Sequence, residues 1–332
     1  MGNGGSSVHG SWQYGIPNTR TDHRMTNSIH GDSNTNVGNV SNSYNNTIIY
    51  SHNEESLLIQ AWLSPPEPHQ RHQDVRSLRL DGVGEWVLRR SEFQSWYKCQ
   101  DSSANPTLLC YGGQGVGKTY IRYKSIPQKQ RMITSNKISS LVVDTLQEQT
   151  RGQNIAVLSL YCDYQAQKAQ SAVNMIGCLL RQVVLGGARI PDEIKSAFDE
   201  SKRGGSQSLR LADMMKLFVK TISSTGLVYL CVDAVDEVLR QHRPEFLRAL
   251  RQIIQDAPNV RIFLTGRPYI RGELDKNLAK GAYIIQILAD QGDITRYLTQ
   301  KIDHDHDQDP DLMTEDLRGD IMKTMLEKAS EM

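Results

Sequence analysis

The run "TLLCYGGQGVGKT", Thr107 to Thr119, does most to narrow the folds open to this chain. Its first half is short, apolar and without helical period, which reads as a buried strand. It passes straight into a glycine-rich turn of the form G-x-x-x-x-G-K-T, with Gly112, Gly117, Lys118 and Thr119 at the fixed positions. The spacing has a chemical reason. Small residues let successive backbone N–H groups converge on phosphate oxygens, a lysine bridges the β- and γ-phosphates, and a threonine hydroxyl reaches Mg²⁺. The candidate cradle is therefore Gly112, Gly113, Gln114, Gly115, Val116, Gly117, Lys118 and Thr119. A strand ending this way normally feeds a helix whose first amides complete the anion site.

The rest of the chain repeats that grammar. "IAVLSLYCDY", "LVYLCVDAVDE", "VRIFLTGRP" and "AYIIQIL" read as apolar strands. Between and after them, "ISSLVVDTLQEQ", "SAVNMIGCLLRQVVL", "LADMMKLFVKTIS", "FLRALRQIIQ", "DITRYLTQKI" and "LRGDIMKTMLEKASEM" carry helical spacing. Apolar strands alternating with amphipathic helices predict an α/β P-loop NTPase fold, a mainly parallel sheet between helices. Ahead of the loop stand a short helix, "ESLLIQAWL", a loop, "SPPEPHQRHQ", and "GEWVLRRSEFQSWYKC". The aromatics of that last run fall loosely on one helical face.

Two strand ends add chemistry to the loop. "LVYLCVDAVDE" delivers Asp233 from an apolar strand, where a carboxylate can hold the magnesium shell opposite the phosphates. Asp236 and Glu237 lie just beyond, placed for one of them to polarise an attacking water. "VRIFLTGRP" brings Thr265 and Arg267 to another strand tip, where a polar or cationic group can sense the γ-phosphate or stabilise charge developing on it. The candidate catalytic residues are thus Asp236, Glu237 and Arg267, with Thr119 and Asp233 for the metal. The tract "KIDHDHDQDPD", with His304 and His306, reads as a solvated acidic loop rather than a metal site, because it fixes no ligand geometry.

Composition excludes several classes. The 332 residues carry 38 basic and 37 acidic side chains, a net charge of +1, so the chain as a whole offers no electrostatic case for nucleic acid or an anionic membrane. No apolar run approaches the length of a membrane span, and the polar start is unlike a signal peptide. Five cysteines without a C-x-x-C pair argue against a disulfide framework or zinc site, and a cytoplasmic protein is expected.

The chain divides by composition. Residues 1–51 form an Asn/Ser/Gly-rich tail, with Asn36, Asn39, Asn42 and Asn45 at three-residue intervals. Such a tail is either disordered or able to stack as a cross-β ladder. Residues 52–104 are the helical segment before the loop, 105–290 the NTPase core and 291–332 a helical C-terminal segment. One stretch disturbs the core. After Thr119 the sequence turns polar and basic and contains Pro127, and clear helical spacing resumes only at Ile138.

The marks "GVGEWVLRRSEFQSW", "GGQGVGKT", "LYCDYQ", "LLRQVV", "LCVDAVDE" and "FLTGRP" together resemble the STAND class of P-loop NTPases, in particular the NACHT-like, nephrocystin-type N-terminal domain abundant in fungi. The resemblance implies an ATP/ADP- and Mg-dependent signalling switch, closed with ADP and oligomeric with ATP, with slow hydrolysis at best. It also implies a continuation into ankyrin or other repeats, absent here, so the chain is expected to be truncated. In such proteins the phosphate loop runs directly into an apolar helix. Deleting Tyr120 to Lys137 restores that join, so residues 120–137 read as a retained intron or an insertion. A phosphate loop disabled by the insert would leave a non-catalytic scaffold instead. A metabolic kinase or GTPase is disfavoured, because no Asn-Lys-x-Asp guanine reader follows the acidic strand.

Overall fold

The computed structural model describes residues 55–63, 68–77, 79–98, 105–112, 135–187, 189–203, 209–278, 280–288, 290–308 and 314–330. The Asn-rich tail, Gly113 to Thr119 of the phosphate cradle and most of the disputed insert lie outside them.

Helix α1 spans 55–63, α2 Pro68–Ser77, α3 Trp86–Arg89 and α4 Ser91–Lys98. Strand β1, Thr107–Gly112, is followed by α5, Ser135–Gln149, and β2, Ile155–Tyr161. Helices α6, Ala172–Gly186, α7, Asp192–Arg203, and α8, Leu211–Ile222, precede β3, Leu227–Asp233. The chain closes with α9, Arg243–Asp256, β4, Val260–Gly266, α10, Arg271–Asn277, β5, Tyr283–Ile287, α11, Gln291–Gln308, and α12, Glu315–Ser330.

All five strands are parallel, in the order β2-β3-β4-β1-β5. The strand entering the phosphate loop and the strand carrying Asp233 are therefore separated by β4, and all three end on the same edge. Side chains alternate across the sheet with period two. Val228, Leu230 and Val232 of β3, with Ile262 and Leu264 of β4, face the core built with α6, α8 and α9. Tyr229, Cys231 and Phe263 face the opposite core, with Ile138, Val142, Val143 and Leu146 of α5 and Phe93 and Trp96 of α4. Burial of both faces explains why the strands read as continuous apolar runs.

Several elements differ from the sequence reading. "SPPEPHQRHQ" is not all loop, since α2 begins at Pro68; proline is compatible with a helix's first turn, where its missing N–H has no intrahelical partner in any case. The aromatic pre-loop run is two helices, broken at Arg90, whose ψ of 140° is extended. Its Trp96 is fully buried, packs 5.3 Å from the Tyr229 ring and donates its indole N–H to the Pro106 carbonyl at 3.0 Å. The acidic tract with His304 and His306 is helical through Gln308, the end of α11. Helices α7 and α10 carry no expectation from the sequence. The described cysteines Cys110, Cys162, Cys178 and Cys231 are free and buried, and burial raises each thiol above its ordinary range. They act as small hydrophobes.

Candidate functional site

The site is assembled from the C-terminal ends of β3 and β4 and the first turns of α5. Asp233 closes β3 and is 1 % exposed. By the alternation of β3 its carboxylate falls on the Tyr229–Cys231 face, toward α5. There Ser139 of α5 donates its hydroxyl to Asp233 Oδ1 at 2.5 Å, and Thr265 of β4 donates to the same oxygen at 2.6 Å. The Ala234 N–H donates in turn to Thr265 Oγ1 at 2.9 Å. Thr265, expected at the strand tip as a phosphate sensor, is wholly buried and bonded to Asp233 instead.

After Asp233 the chain turns sharply. Ala234 has φ 52° and ψ 46°, and among the described residues it is the only non-glycine with positive φ. A left-handed alanine is uncommon and costs about 1 kcal/mol or more. The turn throws Val235–Glu237 into one 3₁₀ turn beside β4. Asp236, 9 % exposed, pairs with Arg267, whose Nε stands 3.1 Å from Asp236 Oδ2, an ion pair outside hydrogen-bond alignment. Glu237 accepts the Tyr164 N–H at 3.1 Å. Burial, reinforced by the charges of Asp236, Asp233 and Asp163, pushes its carboxyl up to about 7, against the Tyr164 N–H bond.

Sequence reasoning missed the residue that holds this turn. Arg243, in the first turn of α9 and 6 % exposed, donates to the carbonyls of Val235 at 3.2 Å, Asp236 at 2.8 Å and Val238 at 2.8 Å. Its remaining nitrogen reaches Glu273 Oε2 of α10 at 3.0 Å. The signal was faint, an arginine beside the proline that opens a helix. The role of the "GVGEW" element also becomes concrete. Gly82 and Gly84 have φ of 77° and 85°, and Asp293 of α11 accepts both the Gly84 N–H at 2.9 Å and the Trp86 indole N–H at 3.1 Å.

Of the cradle, only Gly112 is described, at the end of β1. A Cβ there would come within 3.1 Å of the Ile287 carbonyl oxygen, a tight approach that favours glycine beside β5. Gly113, Gln114, Gly115, Val116, Gly117, Lys118 and Thr119 lie outside the described residues. Helix α5 starts at Ser135, three residues before the expected Ile138. The described donors to Asp233, the Ser139 and Thr265 hydroxyls, are oxygen groups, the chemistry of a hard divalent cation such as Mg²⁺. Among the described residues no group of three or more His, Cys, Asp or Glu is placed to hold a metal, and none of their helices is long and apolar enough to cross a membrane. A single carboxylate with hydroxyls suits Mg²⁺, which keeps waters and takes phosphate oxygens.

The sequence pattern of the family described as Nephrocystin 3, N-terminal, matches residues 82–267, more than half of the 332-residue chain. No curated protein matches. Solved structures with a similar arrangement include Aeropyrum pernix ORC1 in complex with DNA, at 16% identity and a TM-score of 0.39, covering 74% of this chain and 53% of that one. Drosophila ORC bound to DNA is similar at 14% identity and a TM-score of 0.38, over 74% and 55% of the two chains. A Walker-type ATPase of Pyrococcus abyssi follows at 15% identity and 0.37, over 65% and 60%. This chain spans little more than half the length of these relatives. The expectation that nucleic acid is not a partner is corrected here: the Aeropyrum pernix and Drosophila structures are complexes with DNA.

Proposed function

This chain belongs to the Nephrocystin 3 N-terminal family, and on that premise we propose that it is a nucleotide-dependent switch of STAND/NACHT type. Its fold is the nucleotide-binding, P-loop ATPase-like α/β fold. In the proposed mechanism Gly112 to Thr119 wraps the phosphates of ATP or ADP, with Lys118 between the β- and γ-phosphates. Asp233 and Thr119 would hold Mg²⁺, which would neutralise phosphate charge. Glu237 takes the part of general base, and a carboxyl near neutral pH suits that work. Arg267 reads the γ-phosphate.

The observation that carries the proposal is Asp233, buried at the end of β3 and bonded by Ser139 and Thr265 from two neighbouring elements. The Asp236–Arg267 pair supports slow turnover, because the acid is held against the arginine Nε. The ATP-bound form exposes a surface for self-association and the ADP-bound form covers it. The test is binding of a fluorescent ATP analogue, with molar mass by light scattering in ATP and in ADP. Saturable binding with a larger mass in ATP is expected. Absence of binding at millimolar nucleotide would leave the scaffold reading, with a disabled phosphate loop.

A further inference from the structure

Helix α5 buries one stripe against the sheet, made of Ile138, Ser139, Val142, Val143 and Leu146. All but Ser139 are apolar. Spacings of three, four and seven put Ser139 in line with Val142, Val143 and Leu146, on the face that packs. A hydroxyl there costs free energy unless it is bonded, and an alanine would fill the same space without that cost. Ser139 donates to Asp233 Oδ1 at 2.5 Å, with both residues 1 % exposed. The neighbouring Ser140 is just as buried yet turns the other way, accepting from Arg79 Nη1 at 3.4 Å. Of two adjacent serines at equal depth, Ser139 is the one bonded to the candidate metal carboxylate at 2.5 Å.

Chain order sharpens the point. Thr119 is the hydroxyl that the phosphate-loop motif assigns to the metal, and Ser139 follows it by twenty positions on the far side of the polar stretch. We propose that Ser139 is a positioning residue for the metal, its hydroxyl fixing the Asp233 carboxylate from α5 while Thr265 fixes it from β4. Helix α5 and strand β4 thereby hold the metal carboxylate between them. A carboxylate held from two sides presents one orientation to a cation, so less rotational freedom is lost on binding.

The inference rests on the nucleotide-switch reading, and one titration series separates the two. Calorimetric titration of ADP into the full chain is run with Mg²⁺ and with EDTA, for the native protein and for Ser139→Ala, Ser139→Thr and Ser140→Ala. The expected result is a loss of about tenfold in the Mg²⁺-dependent gain in Ser139→Ala, the factor that ~1.4 kcal/mol represents. ADP affinity in EDTA should stay at the native value, Ser140→Ala should keep the full gain, and Ser139→Thr should recover most of it. An undiminished gain in Ser139→Ala overturns the positioning role alone. An equal loss with and without Mg²⁺ overturns it too, because the hydroxyl then serves only the fold. A native chain that binds no ADP overturns both the role and the switch.

Discussion

Asp236 and Arg267, drawn to the site from the ends of two different strands, meet each other at 3.1 Å. The carboxyl side chain is 5 % exposed and the guanidinium 31 %, so the acid is the buried partner and the base the accessible one. Removing the base strands a nearly buried charge. Arg267→Ala is expected to cost about 1–2 kcal/mol in urea unfolding, less than a fully buried pair because solvent reaches the guanidinium. The double variant Asp236→Asn, Arg267→Ala should regain most of that loss. A second readout concerns ligand choice: Arg267→Ala should bring ATP affinity toward that of ADP and leave ADP unchanged. Additive stabilities and unaltered ATP preference would dissociate the pair from both roles.

Glu237 gives the site its pH dependence. Its carboxyl moves up from the ordinary 4.5 to about 7 through burial first, then through the charges of Asp236, Asp233 and Asp163. The folded state therefore holds a proton that the unfolded chain has already released. The resulting stabilisation is full below pH 4.5 and fades as pH rises through about 7. Glu237→Gln keeps a neutral side chain at every pH. It should match the native melting temperature near pH 4, exceed it at pH 8, and abolish whatever ATP hydrolysis the native chain shows. Parallel melting curves for the two proteins across that range would remove Glu237 from the account.

Arg243 fastens the turn that carries both acids. Its bonds to the carbonyls of Val235, Asp236 and Val238 and to Glu273 come from one planar fork. A lysine has one charged nitrogen and cannot span them. Arg243→Lys is expected to destabilise by about 2–4 kcal/mol, since several buried carbonyls lose their donors together. Chemical denaturation measures this, and a loss under about 0.5 kcal/mol, the range of ordinary surface substitutions, would show that the clamp contributes little.

Gly84 sits between two helices. Its φ is 85°, a Cβ would lie 3.3 Å from Ile138 Cγ1 of α5, and its N–H is given to Asp293 of α11. Gly84→Ala combines backbone strain with a tight contact and should lower stability by about 1–3 kcal/mol. Hydrogen exchange in the first turns of α5 and α11 should quicken together. Quickening in α5 alone would deny that this glycine joins the two helices.

The sheet was legible in the sequence because strands buried on both faces leave uninterrupted apolar runs, and all five appear where those runs lie. Helix α2 was not legible. Its residues are polar and basic, and its stability comes from contacts such as His72 with Tyr161 at 2.6 Å and with Asp144 at 3.0 Å, distant in sequence. The same limit governs the site. Asp233, Asp236, Glu237 and Arg267 announce themselves at strand ends, where chain position alone brings residues to one edge. Ser139, Arg243 and Asp293 act through partners far along the chain, and no local pattern marks them. The break at Arg90 shows the converse, an apparent helical face that the backbone divides between two helices.

The central claim is that Asp233 belongs to a Mg²⁺–nucleotide site. Calorimetry of ATP with Mg²⁺, and again with EDTA, on the native chain and on Asp233→Asn tests it most directly. Loss of a charge-assisted contact should weaken Mg²⁺-dependent binding by ~1.5–3 kcal/mol, while the EDTA affinity and the far-ultraviolet circular dichroism spectrum stay unchanged. Equal Mg·ATP affinity in the two proteins would contradict the claim and return Asp233 to the role of a buried acid that merely closes a strand.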